Sequence, residues 1–170
     1  MKAYFFYFCS MMKKKTTIDI IGESEKTTLY SISFEQDGTT EFEKFVEEFE
    51  NNAVYNKDYQ RIIAALQVIL QKGALERFFR PEGKMDDHVH AIPISGGKLR
   101  LYCLRISEQI VILGNGGVKR TDTYEQDPKL FGYVIDLQRF ERILRKNLDK
   151  GYVSVEEREL KGVEDLTFEI

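Results

Sequence analysis

The chain has 170 residues, of which 42% are hydrophobic and 31% are charged, and it contains no tryptophan. These values exclude an intrinsically disordered chain and fit one domain with a core of ordinary size. The formal net charge of −3 is unevenly distributed, because residues 72–150 carry +4 and lie between acidic segments of −3 and −4. The basic middle of the chain is a small excess that fits an anion-binding face.

The first fifteen residues contain a short apolar run, Ala3 to Cys9, followed by three lysines. The run is too short to span a bilayer, and no small-residue cleavage site follows it. We therefore expect residues 1–15 to be a disordered extension, or a start assigned too early, because Met11 or Met12 could begin the chain. The other cysteine, Cys103, lies in an apolar strand, and this cysteine usage is typical of a reduced, cytoplasmic protein.

The first half of the domain predicts a β-hairpin followed by two helices. Residues 16–35 contain two β-rich segments, the second of which alternates regularly, around a polar turn. Thr40 and Glu43 have the spacing of a capping box, which predicts the start of a helix. A second helix is expected over residues 57–72, with Gly73 closing it, and the short connection predicts an antiparallel helical pair.

The second half predicts strands and a last helix. A loop-like stretch at 74–88 precedes three short β signals, which are typical of an antiparallel meander. These signals cover residues 89–94, 99–106 and 109–113.

The last helix has two candidate starts. Asp127 followed by Pro128 is a favourable N-cap and first position, and Asp136 is the alternative because Gly132 weakens the first turn. Gly151 is expected to end the helix.

The order of these elements predicts an α+β fold, with the helices packed on one face of a mostly antiparallel sheet. Residues 16–150 form the predicted domain, and residues 151–170 form a C-terminal extension to which the sequence assigns no role.

The stretch from Gly114 to Pro128 is the strongest indication of function. It follows an apolar strand with glycines and then presents Lys119, Arg120 and Tyr124. Cations and a phenol at the rim of a sheet are suited to gripping a phosphodiester. The glycines do not predict a nucleotide site, because the helix that such a site requires does not follow directly.

Two segments resemble the RelE/ParE superfamily of toxins from bacterial toxin–antitoxin pairs, in particular its HigB-like branch. Residues 97–102, Gly-Lys-Leu-Arg-Leu-Tyr, resemble the glycine, arginine and tyrosine at the start of the family's central strand. Residues 109–113 and 116–121 resemble its apolar strand, which ends in a glycine, a basic pair and a threonine. Pro128 and the helix after it also correspond in position. The resemblance implies the family's α+β fold.

The resemblance also implies an activity, because many members cut messenger RNA on the ribosome without a metal and are silenced by an antitoxin. Arg100 matches the family's strand arginine, Arg120 its later basic residue, and Tyr124 loosely its downstream aromatic residue. With Lys119, these cations are suited to stabilising a phosphorane formed by attack of a ribose 2′-hydroxyl. His90 is a candidate acid or base. The expectation includes no metal, no cofactor and no membrane partner.

Further candidates for RNA contact are His88, Lys98, Arg105, Arg139 and Arg142. His88 and His90 are expected on the same side of a strand, where a zinc site is improbable without further ligands. The arginines of the last helix would extend a basic surface.

This sequence also departs from the family. RelE-type members have lysines along the strand that corresponds to residues 89–94, and this chain has none there. Two alternatives therefore stay open: a non-catalytic interaction module on the same fold, and a ParE-like inhibitor of DNA gyrase.

Overall fold

The computed structural model describes residues 13–82, 88–164 and 166–170. The helices of this part are α1 (Glu41–Phe49), α2 (Asn56–Lys72) and α3 (Pro128–Asp149). Its strands are β1 (Lys15–Glu23), β2 (Thr28–Phe34), β3 (Arg80–Pro81), β4 (Val89–Ala91), β5 (Leu99–Arg105), β6 (Ile110–Val118), β7 (Ser154–Glu156), β8 (Glu159–Lys161) and β9 (Phe168–Glu169). Of the extension predicted at residues 1–15, residues 1–12 lie outside the described residues, and Lys14 exchanges two backbone hydrogen bonds with Ile170.

The fold is α+β, and its main sheet is mixed. Among the described residues the strand order is β3-β4-β5-β6-β2-β1-β9, and β7 and β8 form a separate hairpin. Strands β2 and β6 are parallel, and the other neighbouring pairs of the main sheet are antiparallel. The predicted N-terminal hairpin (β1 and β2) and the predicted meander (β4, β5 and β6) are both present.

Local capping sets the starts of two helices as expected. The Thr40 hydroxyl accepts from the Glu43 N–H at 3.2 Å, and the Glu43 carboxylate accepts from the Thr40 N–H at 2.7 Å. At α3, the Asp127 carboxylate accepts from the N–H groups of Lys129 and Leu130. These bonds satisfy N–H groups that have no partner inside a helix. The helix therefore begins at Pro128, and the alternative start at Asp136 is wrong.

Helices cover both faces of the sheet, which corrects the expectation of a single covered face. One buried cluster lies against α3 and includes Ile110, Ile112 and Phe140. The other lies against α1 and α2 and includes Val111 and Leu113. Consecutive residues of β6 therefore enter opposite cores. A strand with apolar residues at successive positions has two apolar faces, and both must be shielded from water by other elements. Covering the second face buries additional apolar surface and so stabilises the fold.

Strand β6 continues through the glycines, although the sequence predicts its end at residue 113. A Cβ at position 114 would lie 2.8 Å from the Leu137 side chain, and one at position 116 would overlap the carbonyl oxygen of Arg100. The pairing register with β5 shifts here, so that β6 has one extra residue. The glycines allow close packing of a strand, and they are not a phosphate-binding loop.

The C-terminal residues belong to the core on the α3 side. Val153, Leu160, Val163, Phe168 and Ile170 are buried there. Strand β9 pairs with the start of β1 and extends the main sheet. Among the described residues, none of the helices combines the length and apolar character that crossing a membrane requires.

Candidate nucleic-acid interface

Four cations lie at paired or adjacent backbone positions where the β5–β6 hairpin opens, and we call them the cationic corner: Lys98, Arg100, Lys119 and Arg120. The Lys119 N–H donates to the Lys98 carbonyl oxygen at 2.8 Å. Arg100 lies opposite Gly117 in the β5–β6 register. Arg120 follows directly and is exposed. The pairing of the two strands thus brings together cations that are about twenty positions apart in sequence.

The side chain of Arg100 is half-buried and turns back along its own strand. Its Nη1 donates to the carbonyl oxygens of Gly97 and Leu99 at 2.8 and 3.0 Å. Within the described part of the chain, neither Arg100, Lys119 nor Arg120 forms an ion pair with a carboxylate. The positive charge of the corner is therefore available to an anion.

Asp58 of α2 fixes the position of this corner. Its Oδ2 accepts from the backbone N–H groups of Lys98 and Leu99 at 2.8 and 3.2 Å. The carboxylate also lies 3.9 Å from Arg61, whose Nη1 donates to the Ser95 carbonyl oxygen at 3.1 Å. Because its oxygen is occupied by backbone donors, Asp58 holds the start of β5 in place.

A buried tyrosine pair lies on the same face of β5 as Arg100. The rings of Tyr102 and Tyr124 meet edge to face, with centroids 6.4 Å apart. Tyr124 is 5% exposed, and Tyr102 is fully buried. Burial raises the pKa of the Tyr102 phenol. Tyr124 is therefore near the cationic corner, and its ring is engaged in the core rather than presented to solvent for stacking on a base.

The two histidines are separated, so the expectation that they share one side of a strand is wrong. The His90 ring lies 5.9 Å from Phe79, which belongs to the cluster against α1 and α2. The His88 Nδ1 lies 2.9 Å from Glu141 Oε1 on α3. Strand β4 begins at Val89, and His88 lies before it. The alternation of side chains between the two faces of the strand therefore does not apply to His88. Burial lowers the pKa of His90.

Arg105 points away from the cationic corner, because it alternates with Arg100 and Tyr102 along β5. Its Nε donates to the Ala74 carbonyl oxygen at 2.6 Å, and its Nη1 lies 3.9 Å from Glu76. These contacts place it on the face covered by α1 and α2.

The arginines of α3 are also remote from the corner. Arg139 and Arg142 line a groove with Lys13, Glu169 and Ile170. Arg139 lies about 16 Å along the helix axis from Pro128, at about 1.5 Å per residue. The expected continuous basic surface is therefore divided into two areas.

One acidic residue near this site is not singled out by the sequence. Glu82 follows β3, is 7% exposed, and lies near enough for its charge to raise the pKa of the Tyr102 phenol beyond the effect of burial. A lone glutamate in a loop-like stretch gives no signal of this kind. Among the described residues, no group of three or more side chains of the metal-binding types converges.

Comparisons of the chain with protein-family models, with curated proteins and with solved structures gave no significant match. The chemistry of the cationic corner and its surroundings therefore carries the functional proposal.

Proposed function

We propose that this protein is the toxin of a toxin–antitoxin pair, similar to the RelE/ParE superfamily and its HigB-like branch. In this proposal it is a cytoplasmic, metal-independent endoribonuclease that cuts messenger RNA in association with the ribosome. The observation that supports the proposal is the strand pairing that puts Lys98, Arg100 and Lys119 at neighbouring positions close to the Tyr102–Tyr124 pair. The α+β class of the fold is compatible with the resemblance.

The chemistry follows from this arrangement. A ribose 2′-oxygen attacks the neighbouring phosphorus, the bond from phosphorus to the 5′-oxygen breaks, and a 2′,3′-cyclic phosphate forms. The pentacovalent phosphorane that forms between attack and bond cleavage carries two negative charges. Arg100 offers planar paired donors to phosphate oxygens, and Lys119 and Arg120 add positive charge. A well-placed donor of this kind is typically worth about 3–4 kcal/mol in the transition state.

The proposal explains a preference for RNA and requires a protein partner. DNA lacks the attacking 2′-hydroxyl and would not be cut. Binding to phosphates by the corner would weaken as salt rises, because counterions are released on association. The cognate antitoxin is expected to cover the cationic corner and so block access to RNA.

The test is induced expression in a bacterial host, with Arg100→Ala/Arg120→Ala as the test variant. We expect the unsubstituted protein to arrest growth and the double variant to relieve the arrest, with at least a 100-fold loss of cleavage. Lys26→Ala/Lys72→Ala is the matched control, because it removes equal charge at the opposite end of the sheet. Primer-extension mapping of transcripts should show discrete in-frame cuts. Full arrest by the Arg100→Ala/Arg120→Ala variant would show that this site is wrong.

A non-catalytic interaction module is the second candidate, and two observations favour it. The Arg100 guanidinium already donates to carbonyl oxygens of its own strand, and Tyr124 is buried. A module of this kind would bind RNA or protein and leave transcripts intact. Growth arrest with intact transcripts and inhibited DNA gyrase would instead favour a ParE-like function.

A further inference from the structure

Two buried side-chain oxygens of the sheet are unsatisfied. Among the described residues, Glu82 Oε1 and the Tyr102 hydroxyl are buried side-chain atoms without a hydrogen-bond partner. Glu82 is 7% exposed and Tyr102 is 0% exposed. Buried polar groups in native proteins nearly always have partners, and an unpaired carboxylate costs more than an unpaired neutral group. Two such atoms on one face of the sheet indicate a site that a ligand completes.

The strand register puts both residues on the α3 face. The Glu82 N–H donates to the Val89 carbonyl oxygen at 3.1 Å, and Ala91 lies opposite Tyr102. Val89, Ala91 and Tyr102 all belong to the cluster against α3. Pro81 lies opposite His90, whose ring packs on the other face, so alternation returns Glu82 to the α3 face.

The same face also carries Arg100, two residues before Tyr102. Burial raises the pKa of the Tyr102 phenol, the charge of Glu82 raises it further, and the charge of Arg100 opposes this. The Tyr102 phenol therefore lies within the electrostatic influence of both the carboxylate and the guanidinium. The Tyr102 hydroxyl stays protonated at neutral pH and keeps its hydrogen to donate.

The chemistry of the two oxygens defines the group that fits between them. A carboxylate oxygen accepts a hydrogen bond, and a protonated phenol donates one. A hydroxyl group does both at once, because it donates through its hydrogen and accepts through its oxygen. The ribose 2′-hydroxyl is the hydroxyl that RNA presents beside each phosphate, and Arg100 lies two residues before Tyr102 on the same face of β5.

We propose that Glu82 and Tyr102 form the ribose 2′-hydroxyl site, and that Glu82 accepts the 2′ proton. This inference rests on the proposed ribonuclease function. The 2′-oxygen forms its bond to phosphorus as its proton passes to the Glu82 carboxylate. The 5′-oxygen leaves with the bonding electron pair and takes a proton from water. The resulting hydroxide takes the proton from Glu82, which restores the carboxylate.

The alternative proton acceptors are poorly placed. His90 packs against Phe79 on the opposite face, and the His88 ring contacts Glu141. Asp58 is held by backbone N–H groups. Glu82 is the buried carboxylate of the described residues that is left without a partner for one of its oxygens.

The test uses the full chain with Glu82→Gln and Tyr102→Phe, in a reconstituted translation mixture that contains ribosomes and a defined messenger RNA. We expect Glu82→Gln to lower the cleavage rate at least 100-fold and to change RNA affinity less than threefold. Tyr102→Phe should lower the rate about tenfold. Binding to an RNA oligonucleotide should exceed binding to its 2′-deoxy counterpart, and both variants should lose this preference. Glu108→Gln is the control, because Glu108 is an exposed acid in the β5–β6 turn.

Thermal unfolding separates a functional role from a structural one. Because the carboxylate lacks a partner, glutamine should keep or raise the unfolding midpoint. A fall of more than about 10 °C would show that Glu82 is structural and would overturn the inference. Cleavage by Glu82→Gln at the original rate would overturn it while leaving the proposed function intact. If the unsubstituted protein cuts no RNA, both fail together.

Discussion

Two buried glutamates on opposite sides of the sheet are treated differently by their surroundings. Glu41, the first residue of α1, accepts from the Asn115 side chain at 3.1 Å and pairs with Lys44. Glu82, on the α3 face, has an oxygen with no partner among the described residues. Glu41 is typical of a buried acid with a structural role, because Lys44 compensates its charge. Glu82 retains a free-energy cost, which proteins tend to keep where function needs it.

The comparison separates a face with a purely structural core from the face that carries the proposed site. The core against α1 and α2 is built from aromatic and aliphatic side chains, such as Phe45, Phe49 and Ile62. The core against α3 includes the tyrosine pair beside the cationic corner. Substitutions on the first face should change stability, and substitutions at the corner should change activity.

Phe45→Ala tests the structural face with the largest expected effect. Phe45 is fully buried and contacts the rings of Phe42, Phe49 and Tyr59. Its truncation should lower the free energy of unfolding by about 3–5 kcal/mol, because contacts are lost and a cavity remains. Urea denaturation followed by circular dichroism measures the change. Val54→Ala, at a position that is 76% exposed, is the control and should be nearly neutral. A loss below about 1 kcal/mol for Phe45→Ala would contradict this description of the face.

Gly116→Ala tests whether β6 continues through the glycines and supports both faces. The new methyl group would overlap the Arg100 carbonyl oxygen, and therefore the two strands must separate. We expect a loss of roughly 2 kcal/mol or more, as for other overpacked sites, together with weaker RNA binding by the displaced Arg100. Denaturant unfolding and an RNA-binding titration measure the two effects.

The matched control is Gly132→Ala in α3. No neighbour lies within 4 Å of a Cβ at this position. Alanine is favoured over glycine in a helix by about 1 kcal/mol, so this variant should gain stability. Equal tolerance of alanine at positions 116 and 132 would mean that the glycine segment is a loop.

Much of the fold could be predicted because its signals are local. The Thr40–Glu43 capping box and the Asp127–Pro128 helix start depend on neighbouring residues, and both are present. The second covered face could not be predicted in this way, because it depends on which strands pair. The glycines of β6 gave a false end, since their close approach to β5 is visible only once the register is known.

The candidate site also has a part that could be predicted from local sequence and a part that depends on strand pairing. Lys119 and Arg120 follow a strand end directly, so their position at the rim was predictable, and hairpin pairing adds Lys98 and Arg100. Residue type alone groups His90 and Arg105 with these cations, but strand alternation puts both on the other face. Glu82 was missed because only its burial makes it unusual.

The pH dependence of stability gives the smallest of these effects and sharpens the assignment of His90 to the structural face. Burial lowers its pKa, the positive charge of Arg105 lowers it further, and the backbone carbonyl of His88 opposes this. The unfolded chain, in which histidine titrates near pH 6.5, therefore binds more protons than the folded chain. Stability should be complete above about pH 6.5 and should fall as the pH drops from there towards the lower pKa of the folded state. His90→Gln should flatten this part of the profile, measured by urea unfolding between about pH 5 and pH 8. The same substitution should leave RNA cleavage at pH 7.5 unchanged, whereas a loss of cleavage without a change in the stability profile would move His90 to the functional face.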